Sequence, residues 1–180
     1  SPEEAARLFT ELRISAPSCH CKLPLGDDGN EVIETALRLG HRYLITGCPP
    51  RFKEHYTGLD AVKDLAEQYC RAAEVAAGHG LQVGYHNHDW DLCEIDGQPA
   101  YRIFLAETPD EVLYEADLFW AARAGLDPVA LVTELGARGR VLHFKDGAVD
   151  QDGTFVEADT EDGKVMLSDA QPFLPAGTGQ

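Results

Sequence analysis

Basic residues are scarce in this chain. Lysine and arginine number 15 against 31 aspartates and glutamates, a formal net charge of −16. A nucleic-acid groove needs the opposite sign, so nucleic acid is not expected as a partner. Long apolar runs are also missing. None approaches the roughly 20 residues that a membrane-spanning helix requires, and no membrane association is expected. The first residues, Ser1-Pro2-Glu3-Glu4-Ala5-Ala6, carry no signal-peptide pattern. Cysteines are few, odd in number and scattered, at Cys19, Cys21, Cys48, Cys70 and Cys93, with no C-x-x-C pair. That argues against a disulfide framework and for a reducing, cytoplasmic setting. Neither G-x-G-x-x-G after a strand nor G-x-x-x-x-G-K-[ST] occurs, so dinucleotide and P-loop chemistry have no direct support.

What is present suffices for one α/β domain over residues 1–180. Hydrophobic residues make up 44% of the 180, enough for a real core. Helical apolar stripes run through 2–13, Glu31–Leu39 and Leu59–Ala77, with shorter helices at Tyr101–Ala106 and from Asp127-Pro128 to Leu135. Between them lie strand-like runs at Ile14–Leu25, Tyr43–Thr46, Leu81–His88, Val112–Ala116 and Val141–Phe144. Residues 51–57 and Asp89–Pro99 read as loops, the second with an Asp96-Gly97 turn signal. Alternation of this kind predicts a parallel sheet, either doubly wound or an arc of a barrel. From 148 to 170 the chain turns acidic, and Thr154–Asp159 with Lys164–Leu167 reads as a hairpin excursion.

The chemistry-bearing residues gather at strand ends. Tyr85-His86-Asn87-His88-Asp89-Trp90, Glu115-Ala116-Asp117 and Leu142-His143-Phe144-Lys145-Asp146 each close a strand-like run. In parallel β/α folds such ends share one rim, where the chemistry sits. By strand alternation His86 and His88 share a face, while Cys19 and Cys21 face away from His20 and read as small apolar packing. His41, His55 and His79 fall at helix ends or in loops and are expected to face solvent.

Gly84-Tyr85-His86-Asn87-His88-Asp89-Trp90-Asp91, Glu115-Ala116-Asp117-Leu118-Phe119-Trp120 with Gly125-Leu126-Asp127-Pro128, and Leu142-His143-Phe144-Lys145-Asp146 resemble the sugar phosphate isomerase/epimerase superfamily. Its fold is the xylose-isomerase-like TIM barrel, and it also contains inosose dehydratase and endonuclease IV. Ser18-Cys19-His20 resembles its strand three, and Pro175-Ala176-Gly177-Thr178-Gly179 the glycine segment before strand eight. The resemblance implies a partial barrel, about strands three to seven of eight, and hence a fragment of a longer polypeptide. It implies one divalent metal (Mn, Co, Zn or Mg), with Asp117 at the strand-six carboxylate and His143 at the strand-seven histidine. His86 stands where the family commonly has a strand-five glutamate and is the candidate metal ligand for that place; His88, on the same face, could also reach the metal. The implied reaction is proton abstraction next to a carbonyl of a sugar or polyol, through an enediolate. His86 or His88 would be the base and Lys145 an electrostatic helper; Lys145 is equally suited to a buried ion pair with Asp117 or Asp146. His20, Trp90 and Trp120 are candidates for substrate contact. Dehydration of a keto-polyol, or carbohydrate binding without catalysis, fits the same residues. Phosphodiester cleavage is disfavoured by the acidic charge. The family's dimers and tetramers make a homo-oligomer a further expectation.

Overall fold

The computed structural model describes residues 1–47, 52–145, 155–160 and 163–168. The elements run α1 (Pro2–Leu12), β1 (Ser18–His20), α2 (Gly29–Leu39), β2 (Tyr43–Thr46), α3 (Leu59–Ala77), β3 (Gln82–His86), a small β4 (Glu94–Ile95) and β5 (Gln98–Pro99), α4 (Ala100–Glu107), β6 (Leu113–Asp117), α5 (Leu118–Arg123), α6 (Pro128–Leu135) and β7 (Val141–His143). Strands β8 (Phe155–Thr160) and β9 (Gly163–Ser168) pair antiparallel as a separate hairpin. Among the described residues, no helix is long and apolar enough to cross a membrane.

Five strands form one sheet in the order β1-β2-β3-β6-β7, every pairing parallel. The order follows the chain and never reverses. A doubly wound sheet needs a reversal at its switch point; this sheet is instead a curled half-barrel, an arc of a TIM barrel. Alternation divides its two faces. Leu44, Val83, Tyr85, Tyr114 and Ala116 point outward into the core under the helices. The core's other side comes from α3, where Val62, Leu65, Ala66, Tyr69, Ala72 and Ala76 are sealed from solvent at helical spacing. His20, Ile45, Gly84 and Leu113 fall in register on the inner face, and His86 and Glu115 one layer above.

Several boundaries depart from the sequence reading. The run at Ile14–Leu25, read as a strand and its loop, contains a three-residue strand that begins just after Pro17, which cannot donate a ladder hydrogen bond. The loop expected at 51–57 contains a 3-10 turn at Phe52–Tyr56, and the one at Asp89–Pro99 contains a second at Trp90–Leu92 and the β4–β5 hairpin. Asp96 (φ 51°) and Gly97 (φ 77°) turn that hairpin in the left-handed region, as their order suggests. Helix α5 was not foreseen. Helix α6 starts as expected, with Asp127 Oδ1 accepting from the Val129 N–H at 2.9 Å and Pro128 in the first turn. His41 is buried rather than solvent-facing, because its Nδ1 bonds the Ala16 carbonyl at 2.5 Å between α2 and β2. Cys48, Asp146 and the glycine segment at 175–179 lie outside the described residues.

Candidate metal centre

Strand β3 delivers His86 to the inner face, with only 2% of the residue exposed. Its ring fits because Gly47, at the end of β2, has no side chain: a Cβ there would stand 2.6 Å from His86 Cδ2. Beyond His86 the chain leaves the sheet in a segment anchored at every second residue. Asn87 is fully buried and bonds the Asp117 backbone twice, accepting from its N–H at 2.8 Å and donating to its carbonyl at 3.2 Å. Asp89 pairs with Arg123 at 3.1 Å. Asp91 Oδ2 accepts from the His88 N–H at 2.8 Å and from the Tyr85 hydroxyl at 2.6 Å, and Tyr56 in turn bonds Tyr85. Burial pushes the Asp91 carboxyl well above the usual range. The intervening residues, His88 and Trp90, are thereby held along the rim beside His86.

Strand β6 brings two carboxylates to the inner face, Glu115 and Asp117. Glu115 Oε1 lies 2.7 Å from His20 Nε2, 3.0 Å from His86 Nδ1 and 3.6 Å from His143 Nδ1. Burial opposes its ionisation, but the hydrogen bond with His20 and the neighbouring His86 imidazole outweigh that and hold its pKa down at about 2. The same bond to Glu115 raises His20. Asp117 is fully buried and otherwise engaged. Its Oδ1 caps α5 by accepting from the Trp120 N–H at 3.1 Å, and its Oδ2 lies 2.9 Å from Lys145 Nζ and 3.2 Å from His143 Nδ1. Desolvation lowers the pKa of His143, partly offset by Asp117. Desolvation, then the neighbouring His86 and Lys145, lower His88 to about 3, so its imidazole is neutral at physiological pH.

Among the described residues, one group of side chains is placed to hold a metal. His20, His86, Glu115 and His143 each offer a ligand atom, all within 4.8 Å of one another. The buried Nδ1 atoms of His86 and His143 make no hydrogen bond, although carboxylate oxygens stand 3.0 and 3.2 Å away. Groups that merely paired with one another would align an N–H on an oxygen. Lone-pair donors that converge without aligning suit a shared cation, and imidazole and carboxylate are ligands of divalent metals. The residues present therefore fit such an ion.

A cavity of about 590 Å³ opens over the group. Its polar wall carries His20, His86, His88, His143 and Lys145, and its apolar wall Leu23, Leu25 and Ile45. Trp90 stacks flat on His88 (4.2 Å between centroids, 10°), and the Trp120 ring lies 4.9 Å from Lys145 Nζ. Both indoles stand behind lining residues. The structure thus brings His20, His86, His88, Asp117, His143 and Lys145 to one rim. Sequence reasoning passed over Glu115, although its parity with Asp117 was the available signal. Cys19 and Cys21 pack against the core on the opposite face from His20, as alternation suggests.

No protein-family model and no curated protein matches the sequence. Solved structures do share the fold. A sugar phosphate isomerase/epimerase from Parabacteroides distasonis superposes with a TM-score of 0.67 at 22% identity, over 81% of this chain and 57% of that one. A probable 3-DHS dehydratase, AsbF, involved in petrobactin synthesis in Bacillus anthracis, gives 0.63 at 15% identity, over 80% and 55%. The IOLI protein with a bound zinc atom gives 0.62 at 18% identity, over 81% and 56%. The chain spans less than two thirds of the length of each of these proteins. The arc has the architecture of the xylose-isomerase-like TIM barrel, in its partial form.

Proposed function

We propose that this chain carries the site of a metal-dependent sugar or polyol isomerase or epimerase. The observation that carries the reading is the His20, His86, Glu115 and His143 group, opening into a cavity on the rim where this barrel architecture places its chemistry. Fold neighbours described as a sugar isomerase/epimerase and as a zinc-binding protein support it.

The reaction is proton abstraction from a carbon next to a carbonyl. A divalent ion (Mn, Co, Zn or Mg) in the group would polarise that carbonyl and the adjacent hydroxyl. His88 lines the cavity but lies outside the ligand group, so the proton transfer is assigned to it rather than to His86. Its neutral imidazole presents one lone pair and one N–H. The enediolate formed opposite would stabilise the imidazolium that results, and return of the proton to either carbon or face completes isomerisation or epimerisation. Lys145, between Asp117 and the Trp120 ring, adds positive charge on the side where the oxyanion grows. Asn87, Asp89 and Asp91 hold His88 in place. The partner is a small sugar or polyol.

A second reading is favoured by the dehydratase among the fold neighbours: the same enediolate, formed beside a leaving hydroxyl, loses water instead of regaining its proton. Both readings predict exchange of the proton next to the carbonyl. The test incubates metal-reloaded protein in D₂O with a panel of aldoses, ketoses and cyclic keto-polyols, followed by proton NMR. Deuterium entering that position, and lost in His88→Ala, supports the proposal, and an enone absorbance would select dehydration. A folded, metal-loaded protein that exchanges no proton from any member of the panel refutes both.

A further inference from the structure

We infer that the metal ligands of this chain are His20, His86, Glu115 and His143, a three-histidine, one-glutamate set, and that Asp117 stands outside the metal as the counter-charge of Lys145. The inference rests on the metal-centre reading above and deepens it. The resemblance points to Asp117 as the carboxylate ligand. The geometry points elsewhere.

Glu115 is the carboxylate around which the imidazoles close, with oxygen-to-nitrogen distances of 2.7, 3.0 and 3.6 Å to His20, His86 and His143. Asp117 has other duties. One oxygen caps α5 and the other lies 2.9 Å from the Lys145 ammonium, which a metal at the same oxygen would have to displace or repel. His86 stands between the two carboxylates, Nδ1 toward Glu115 and Nε2 3.7 Å from Asp117 Oδ2. At 3.7 Å the second contact is longer than a hydrogen bond, so Glu115 and not Asp117 is the carboxylate nearest the ring. His20 completes the set from β1, its ring centroid 4.8 Å from that of His86 and 5.9 Å from that of His143. Three imidazoles and one carboxylate make a four-donor site. Such a site suits Zn²⁺ or Co²⁺ and disfavours Mg²⁺, which prefers oxygen ligands and keeps its waters.

The test is titration of the whole chain with Co²⁺, read by visible absorption, and with Zn²⁺ by competition, in wild type, His20→Ala, Glu115→Gln and Asp117→Asn. The side chain of His20 is half exposed on an edge strand, so its removal leaves the fold intact, which circular dichroism checks. Wild type is expected to bind about one ion and show a four-coordinate Co²⁺ spectrum. Loss or reshaping of that spectrum in His20→Ala and Glu115→Gln, with Asp117→Asn keeping the band shape at a roughly 10–100-fold weaker affinity, supports the assignment. Loss of the band in Asp117→Asn while His20→Ala and Glu115→Gln retain it overturns the ligand set but leaves the metal centre standing. A folded wild type that binds neither ion overturns both. The expected spectra without proton exchange on the sugar panel would keep the ligand set and remove the proposed reaction.

Discussion

Gly47→Ala tests how tightly His86 is set. The added Cβ would lie 2.6 Å from His86 Cδ2 and 3.2 Å from its Cβ and Cγ. Carbon atoms in comfortable contact stand roughly 3.5–4.0 Å apart, so ring or backbone must give by about 1 Å. The ring has little room, because the centroids of His20, His88 and His143 are 4.8, 4.9 and 5.1 Å away. Overpacking of this kind costs about 1–3 kcal/mol. At about 2–4 °C per kcal/mol for a domain of this size, the melting temperature should fall by about 2–12 °C. A ring moved by 1 Å also takes Nδ1 off the shared centre, so Zn²⁺ affinity should drop at least tenfold. The assay is a double-mutant cycle of Gly47→Ala with His86→Ala, read by thermal melting without metal and by Zn²⁺ titration. If the clash is the cause, Gly47→Ala costs little once the ring is gone. An equal cost in both backgrounds, or unchanged metal affinity in the single variant, refutes the reasoning.

Asn87→Ala removes two buried bonds to the Asp117 backbone and should destabilise the chain by about 2–4 kcal/mol in urea unfolding; a loss under about 1 kcal/mol would show that the bridge is dispensable. Arg138→Ala should cost about as much, because its guanidinium bonds the carbonyls of Val112, Leu105 and Thr108 and the Thr108 hydroxyl; Arg138→Lys, lacking the planar fork, should recover less than half, and full recovery by lysine would contradict the fork argument. Asp91 carries a pKa raised by burial, so its stabilising contribution is complete below the ordinary value of 3.8 and is lost as pH rises through the folded value. The melting temperature of wild type relative to Asp91→Asn should therefore decline as pH rises above the ordinary carboxylate value of 3.8, and parallel profiles for the two proteins would exclude that titration.

Much of this architecture is legible from the residues alone. The alternation of helical stripes and short β-rich runs carries the element order, and strand ends rich in His and Asp mark the rim. What the residues left open was the sheet's form, since an open sheet and a barrel arc share the same local pattern; only the pairing order separates them. The missed element, α5, has six residues, less than two turns, too short for a hydrophobic period to register. Its one local signal was Asp117 followed at the third residue by a backbone N–H to cap. His41 was misjudged for a related reason. After Gly40 a histidine reads as exposed, and nothing nearby in sequence announces that the Ala16 carbonyl will meet its ring.

Glu115 shows where a pattern reading stops. Residues 115 and 117 are two apart on one strand, so alternation sends both carboxylates to the inner face and ranks neither. What separates them is non-local. Asp117 is the last residue of its strand and the first cap of the next helix, and Lys145 arrives beside it from the segment just after β7. Glu115, one layer deeper, meets His20 from a strand 95 residues away in sequence and His86 from the adjacent strand. A carboxylate that caps a helix and stands beside an ammonium can take a metal only by displacing or repelling that ammonium. A carboxylate ringed by imidazoles has its charge stabilised by groups that can ligate beside it. The substitution that separates the two roles is Asp117→Asn, in which the amide oxygen still caps α5 while the charge opposite Lys145 is gone. If Asp117 only counters the charge of Lys145, the variant keeps the geometry of the metal and loses affinity alone. If it is a ligand, the spectrum changes with it.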